Sequence, residues 1–154
     1  MRMKIVAVAL GTATALGTVL ATAGCGPARA PDPLAGTSWE LVSIESMAPD
    51  EQPSTTIDDP GKYTVSFGGD GRVAFTVDCN RGNSSWQAES AAPDSGSLQF
   101  GPIALTRMFC PQPSADTQVA AALGRVRSFL LSDGQLHLSL EADGGIMHWR
   151  PATP

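Results

Sequence analysis

The sequence is poor in the residues and motifs on which most enzyme sites depend. It has only two histidines and three cysteines among 154 residues. It contains no Gly-x-Ser-x-Gly segment, the nucleophile motif of many hydrolases. It contains no Cys-x-x-Cys pair, which weighs against a thiol redox centre. His137 and His148 lack the spacing of zinc ligands. We therefore expect no catalytic residue, no cofactor and no metal site.

Positive charge is scarce in most of the chain. Arg2 and Lys4 precede Cys25, whereas all fifteen acidic residues follow it. From Cys25 onward, eight Lys and Arg residues stand against fifteen Asp and Glu residues, a net charge of −7. Such a surface repels phosphate backbones and offers no basic patch to anionic lipid headgroups, so we expect no nucleic-acid partner. The acidity is typical of a surface that keeps a domain soluble.

A long uncharged stretch lies at the N-terminus. Arg2 and Lys4 precede a run of apolar and small residues over 5–23, and Gly24 and Cys25 follow. This order predicts a secretory signal peptide over residues 1–24. Thr22-Ala23-Gly24-Cys25 resembles a bacterial lipobox in which Thr replaces the usual Leu. In this interpretation Cys25 carries diacylglycerol and becomes the new N-terminus; the alternative is an ordinary secretory signal with an incidental cysteine.

Residues 25–36 connect that cysteine to the rest of the chain. Three prolines and several small residues leave too few apolar side chains to nucleate a core, so we predict a semi-rigid tether. Each buried methylene of an acyl chain contributes about 0.8 kcal/mol, and more than one chain makes anchoring stable. We therefore expect a protein held in the lipid bilayer through acylated Cys25, on the extracytoplasmic face of the cell membrane.

Cys79 and Cys110 are left once Cys25 is assigned to lipid. Disulfides persist in an extracytoplasmic compartment, and one bridge would use both residues. A closed loop of about thirty residues would contribute roughly 3–4 kcal/mol to stability. Reactive free thiols and a zinc site are the alternatives to this structural bridge.

Short alternating segments separated by turns dominate the remaining sequence. Apolar and polar residues alternate over 63–67, a Gly-Gly-Asp-Gly turn follows at 68–71, and the alternation resumes over 72–77. This pattern predicts a β-hairpin with one apolar face. Gly and Pro together account for 28 residues, as is typical of many short strands joined by turns.

Other segments extend this pattern. We predict a strand over 37–47 with a bulge near Val42, a loop over 48–61, and strands over 84–88, 98–100, 129–131, 135–140 and 146–150. The spacing of apolar residues predicts one helix, capped by Ser114 or Asp116 and ending at Gly124. The predicted fold over residues 37–151 is mainly β: a small antiparallel β-barrel-like domain, open to lipocalin-like closure, with one short α-helix.

Three of these segments together resemble the META domain family, also called the HslJ-like family. They are a first strand with Gly-Thr-x-Trp-x-Leu over 36–41, Cys-Asn-Arg over 79–81, and Thr-x-Met-x-Cys-Pro over 106–111. The resemblance covers residues 34–150. Asp78 stands where the family usually has Gly, and Gly82 comes earlier than the family's next Gly. The resemblance implies a compact β-barrel-like domain with a helix at one side, found in secreted and lipid-anchored bacterial proteins and without an established enzyme activity.

The residues of these motifs also have structural interpretations, and we take all five as candidate binding residues. Asn80 suits a left-handed or turn conformation. Thr106 can satisfy backbone groups of a crossing segment, and Met108 can fill irregular core space. Arg81 and Arg107 can pair with acids or form a small cationic spot. For each residue we favour the structural interpretation over ligand contact.

Three functions fit the sequence. The one we favour is a monomeric, non-catalytic module that binds an envelope protein, a peptide or a small amphiphile through the barrel mouth or the 80–86 and 107–113 loops. The second is a structural role in envelope stress or antibiotic tolerance without a defined ligand. A hydrolase has the least support, since His137 lies on the polar side of an alternating strand, where a solvated face is the simpler interpretation.

Overall fold

The computed structural model describes residues 32–47 and 53–153. The predicted signal peptide, Cys25 and the tether as far as residue 31 lie outside the described residues. No helix in the described part is long and apolar enough to cross a membrane. The strands of this part are β1 (Ser38–Ser46), β2 (Ser54–Thr56), β3 (Tyr63–Phe67), β4 (Arg72–Val77), β5 (Asn80–Ala92), β6 (Ser95–Phe100), β7 (Ala104–Leu105), β8 (Val126–Ser132), β9 (Gln135–Leu140) and β10 (Gly145–Pro151). The α-helix is α1 (Asp116–Leu123), and Pro60–Lys62 and Glu141–Asp143 form 3-10 turns.

Eight of these strands close into an antiparallel barrel. They are hydrogen-bonded in the order β1-β3-β4-β5-β6-β8-β9-β10, and β10 pairs back with β1 from Trp39↔Pro151 to Ser46↔Gly145. The short strands β2 and β7 lie off this path and pair with β1 and β5, each where a longer neighbour ends. A closed, mainly β barrel with one short helix confirms the predicted fold class.

Alternation along the strands explains why the barrel interior is filled. Successive side chains of a strand point to opposite faces, so every second residue points into the interior, and in these strands the inward residues are mostly apolar. Burying one such side chain contributes about 1.5–3 kcal/mol. The fully buried residues of the core include Leu41, Val65, Val77, Leu98, Val119, Leu136, Leu138 and Met147.

The two ends of the barrel are closed in different ways. At the first, which we call the turn end, the Gly36 N–H donates to the Phe67 carbonyl at 2.7 Å, and Leu34 is fully buried. At the opposite end, the helix end, α1 lies across the opening and buries Val119 and Leu123. Strand β3 runs from one end to the other, since it finishes at Phe67 and begins at Tyr63, whose hydroxyl accepts the N–H of Ala115 at 3.0 Å.

Most predicted elements are present, although several have different bounds; the strands predicted over 98–100 and 129–131, for example, begin three residues earlier, at Ser95 and Val126. The 63–67 and 72–77 hairpin is β3 and β4, and the register of β1 on β10 shifts between Leu41 and Ser43, at the predicted bulge. Strand β5 is longer than the predicted 84–88 strand, because its polar first half pairs with β4 over residues 80–85. The predicted 48–61 loop contains β2 and a 3-10 turn. The N-cap of α1 is Ala115, not Ser114 or Asp116, and it makes no side-chain cap bond.

Candidate binding groove beside the disulfide

A disulfide joins Cys79 and Cys110, which are 31 positions apart, with their Cα atoms separated by 5.6 Å. Cys79 directly precedes β5, and Cys110 ends the extended segment that follows β7. The Cys79 N–H also lies 3.3 Å from the Cys110 sulfur. The bridge therefore fixes the end of the 106–110 segment beside the beginning of β5.

The side chain of Asn80, the first residue of β5, continues the hydrogen-bond ladder between β5 and β7 beyond the end of β7. The Met108 N–H donates to Asn80 Oδ1 at 2.7 Å, and Asn80 Nδ2 donates to the Met108 carbonyl at 3.2 Å. A side-chain amide thus pairs with Met108 through one donor and one acceptor, as an antiparallel strand residue would. Asn80 is only 3% exposed, so leaving these groups unpaired would be costly.

Thr106 makes the next rung of the same ladder. Its N–H donates to the Arg81 carbonyl at 3.0 Å, and its hydroxyl accepts the Arg81 N–H at 3.0 Å. The same hydroxyl donates to Asn80 Oδ1 at 2.9 Å. Thr106 and Cys110 therefore face β5 through their side chains and Met108 through its backbone, at every second position of the segment.

Two interpretations of the motif residues are wrong. Asn80 does not hold a turn, since it lies in β5; the left-handed residue is Asp78, with φ of 54°. Glycine adopts this conformation at little cost, which accounts for the family's usual Gly at that position. Met108 does not fill the core, because its side chain is 57% exposed and its backbone makes the important contacts.

The early glycine at position 82 has a steric explanation. A Cβ on Gly82 would lie 2.7 Å from the Ala104 carbonyl oxygen and 2.8 Å from a Leu105 methyl carbon. Real Cβ atoms do not approach backbone oxygens this closely. Glycine at this position therefore allows β7 to pair with β5.

The two arginines behave differently from each other. Arg81 Nη1 donates to the carbonyls of Asp78 and Asn80 at 2.9 and 3.0 Å, so it holds the turn before β5 rather than pairing with an acid. Arg107 makes no hydrogen bond or ion pair with any residue in the described ranges. Its guanidinium is therefore available to a ligand.

A groove of about 630 Å³ lies between the 103–112 segment and α1. This volume is in the range of ordinary small-molecule and peptide sites. Four of the five candidate residues line it, namely Asn80, Thr106, Arg107 and Met108, whereas Arg81 does not. The groove is also lined by residues that were not among the five candidate binding residues: Leu105, Phe109, Asp116, Thr117, Ala120 and Leu123.

Phe109 is the most informative of the residues that were not singled out. Its side chain is 90% exposed at the rim of the groove. It occupies the variable position between Met108 and Cys110, and the Thr-x-Met-x-Cys motif specifies only the residues on either side of it. The sequence signal that could have identified Phe109 is its position next to Cys110: in an extended strand, neighbouring side chains point to opposite sides, so this aromatic ring points away from the disulfide.

The two histidines form a pair on the barrel wall, away from the groove. They face each other across β9 and β10, and their Nδ1 atoms lie 2.8 Å apart. His148 Nε2 is 3.5 Å from Glu45 Oε1. Burial, followed by the charge of His148, lowers the pKa of His137 below its ordinary value. His137 is therefore a half-buried partner of His148 rather than part of a fully solvated face.

Potential metal ligands are dispersed in the described part of the chain. Over residues 32–47 and 53–153, no group of three or more His, Cys, Asp or Glu side chains is placed to hold a metal ion. The histidine pair has Glu45 as its nearest acid, and Glu45 approaches the nitrogen of His148 that does not face His137.

The barrel is shared with solved bacterial proteins of low sequence identity. An NMR structure of a protein from Burkholderia xenovorans superposes with a TM-score of 0.62 at 22% identity, covering 84% of this chain and 96% of that one. A crystal structure of a DUF4847 family protein from Bacteroides vulgatus gives a TM-score of 0.54 at 14% identity, covering 77% and 94%. These similarities define a class of small closed barrels, and they show the fold alone.

The family model for the META domain matches residues 32–152. The chain therefore belongs to the META domain family, as the Cys-Asn-Arg and Thr-x-Met-x-Cys segments indicated. No curated protein sequence matches this chain at a significant level.

Proposed function

We propose that this protein is a secreted lipoprotein, anchored through Cys25 on the extracytoplasmic face of the cell membrane, whose META domain is a non-catalytic binding module. The groove beside the Cys79–Cys110 bridge is its binding site, and a component of the cell envelope is its ligand. The observation that carries this proposal is the groove itself, which combines a braced wall, the unpaired cation of Arg107 and the exposed ring of Phe109.

The chemistry of the groove favours binding over catalysis. No histidine lines it, and both of its cysteine neighbours are in the disulfide. The hydroxyl of Thr106 is already hydrogen-bonded to Asn80 and Arg81. Asp116 is the acid that lines the groove; its Oδ1 accepts the Thr117 hydroxyl at 3.4 Å, and the described lining has no histidine or lysine to activate that hydroxyl.

The point at which the predicted tether meets the described residues is separate from the groove. Asp32 and the turn that follows it lead into the turn end, whereas the groove is at the helix end. Attachment through Cys25 therefore does not require the residues that line the groove.

The anchor is tested by the intact mass of the protein purified from its native membrane, before and after reduction. We expect the mass of residues 25–154 plus acyl groups, with two thiols that appear only on reduction. The matched control is Cys25→Ala, which should be released from the membrane fraction. A mass that retains residues 1–24, or membrane association that survives Cys25→Ala, would contradict the proposal.

The groove is tested by two alanines on neighbouring positions of α1. Ala120 is half-buried and lines the groove, whereas Ala121 is exposed and does not line it. Ala120→Trp should fill the groove and abolish crosslinking of the protein to its envelope ligand in intact cells. Ala121→Trp should leave that crosslinking unchanged. Equal crosslinking by both variants would show that the groove is not the binding site.

A further inference from the structure

We infer that the groove takes its ligand as an added β-strand: an extended segment of another envelope protein pairs with the backbone of Arg107 and Phe109. This inference rests on the proposed function and names the class of ligand for the same site. We call the backbone N–H and C=O groups of Arg107 and Phe109 the open edge.

The open edge follows from the ladder on the other side of the same segment. The Thr106 N–H donates to the Arg81 carbonyl, and the N–H and C=O of Met108 are both paired with the Asn80 side-chain amide. In an extended chain, alternate residues direct their N–H and C=O groups to opposite sides. Those of Arg107 and Phe109 therefore point away from β5, and they make no hydrogen bond with any residue of the described ranges.

The barrel wall is incomplete next to this edge. Strands β6 and β8 pair from Ser95↔Leu130 to Ser97↔Ser128, and the rest of β6 has no pairing with β8. Toward the helix end, the groove separates the 103–110 segment from α1 and lies where the next strand of a continuous sheet would lie. The site therefore offers both an unpaired edge and the space beside it.

An extended polypeptide satisfies this edge better than a compact molecule does. The open edge presents donors and acceptors on every second residue, the repeat of a β-strand, and an added strand supplies the complementary groups at the same repeat. Unpaired edges of this kind attract further strands unless they are covered. The apolar side chains of Leu105, Ala120 and Leu123 in the groove offer contacts to alternate side chains of the added strand.

Charge selects a different protein over a second copy of this chain. Two copies that paired antiparallel through the open edge, centred on position 107, would place Arg107 opposite itself. Like charges directly opposite each other destabilise a strand pair. A segment with an acidic residue at that position instead gives Arg107 the partner that it lacks among the described residues.

The probe for this inference is a displayed library of random heptapeptides. Peptides selected on the folded, oxidised domain are resynthesised with N-methyl groups on one alternate set of backbone amides or on the other. We expect one set to weaken binding about tenfold or more, as the loss of two main-chain hydrogen bonds implies, and the other set to have little effect. Equal binding of both N-methylated forms would overturn strand addition.

Variants of the protein separate its backbone from its side chains. Arg107→Pro removes the N–H of the open edge, whereas Arg107→Ala keeps it and removes only the charge. We expect Arg107→Pro to bind the selected peptides at least about tenfold more weakly than Arg107→Ala. Phe109→Pro and Phe109→Ala form a second such pair if Arg107→Pro does not fold. Equal affinity within a folded pair would contradict the inference.

Lauric acid, a single-chain amphiphile, distinguishes failure of this inference from failure of the proposed function. If lauric acid shifts the NMR signals of Ala120 and Leu123 and no selected peptide does so, the groove binds a ligand but strand addition is wrong. If neither probe perturbs these signals, both the inference and the groove as binding site are overturned. Peptide-induced shifts that depend on the Arg107 N–H support both.

Discussion

The turn end and the helix end of the barrel are stabilised by different interactions. At the turn end, the rings of Phe67 and Trp86 meet edge to face with centroids 5.1 Å apart, and Phe100 stacks on Phe67 at 6.1 Å. At the helix end, a disulfide and the buried amide of Asn80 hold an irregular segment in place. Aromatic contacts stabilise one end, whereas at the other end a polar ladder braces one side of the 106–110 segment and leaves its other side open.

This difference separates stability from binding. The aromatic cluster contributes free energy through burial and through its ring contacts. The hydrogen bonds to Asn80 and Arg81 hold the 106–110 segment in position, while its other side presents unpaired backbone groups to a ligand. We therefore expect substitutions at the turn end to lower stability without changing the groove, and substitutions at the helix end to alter the groove as well.

The largest expected effect compares two phenylalanines, one near each end. Phe67→Ala should lower the free energy of unfolding by about 3–5 kcal/mol, because it leaves a cavity in the aromatic cluster. Phe109→Ala should change it by less than about 0.5 kcal/mol, because that ring is 90% exposed. Urea denaturation measures both. Similar losses from the two variants would contradict the conclusion that the turn end contributes more to stability than the rim of the groove does.

Removal of the disulfide should have the next largest effect. The double substitution Cys79→Ser with Cys110→Ser should lower the free energy of unfolding by roughly 3–4 kcal/mol, since it frees a loop of about thirty residues in the unfolded chain. The folded variant should also show faster amide exchange over residues 106–110 than over β3. A loss spread evenly over the barrel would argue against a local bracing role for the bridge.

Asn80→Ala should have an intermediate effect. It leaves the Met108 N–H and C=O without their partners, at a cost of about 1–3 kcal/mol. Asn83→Ala is the matched control, since Asn83 lies exposed on the same strand and accepts one bond from Arg72 at 3.3 Å. Denaturant midpoints of the two variants measure the difference. Equal midpoints would show that the ladder contributes nothing beyond the disulfide.

The smallest effect concerns pH and the barrel wall between the two ends. Burial and His148 lower the pKa of His137 in the folded protein, while Asp133 and Glu45 oppose the shift. As pH falls, His137 therefore takes up a proton in the unfolded chain before it does so in the folded protein. The contribution of neutral His137 to the free energy of unfolding is complete above the ordinary imidazole pKa of about 6.5, and it is lost as pH falls through the lowered pKa. His137→Gln should flatten the fall in unfolding free energy as pH drops below the ordinary imidazole pKa of about 6.5. An unchanged slope would exclude His137 as its source.

Local patterns account for what could be predicted at the turn end. The alternation over 63–67 and 72–77 and the glycine turn between them are adjacent in sequence, so the hairpin follows from the side-chain periodicity alone. The closing pair of β1 with β10 brings together residues about a hundred positions apart, but both strands were recognisable from their own alternation.

The helix end could be predicted only in part, because its contacts are non-local and involve the backbone. The motif resemblance identified Asn80, Thr106 and Met108, but a side-chain amide that replaces a strand residue has no signature in periodicity. The adaptable side chain of methionine predicts that Met108 fills core space, whereas in the structure Asn80 binds its backbone. The polar first half of β5 was missed for a related reason: pairing with β4 overrides its low strand propensity.

The open edge is tested most directly by residue-resolved amide exchange of the free, oxidised protein, measured by NMR. We expect exchange rates to alternate along the 106–110 segment: slow at Thr106 and Met108, whose N–H groups are bonded to Arg81 and Asn80, and fast at Arg107 and Phe109. Protection of Arg107 and Phe109 in the free protein would mean that the edge is already covered. Fast exchange at Met108 would mean that the Asn80 ladder does not form. Either result would contradict a segment that is braced on one side and open on the other.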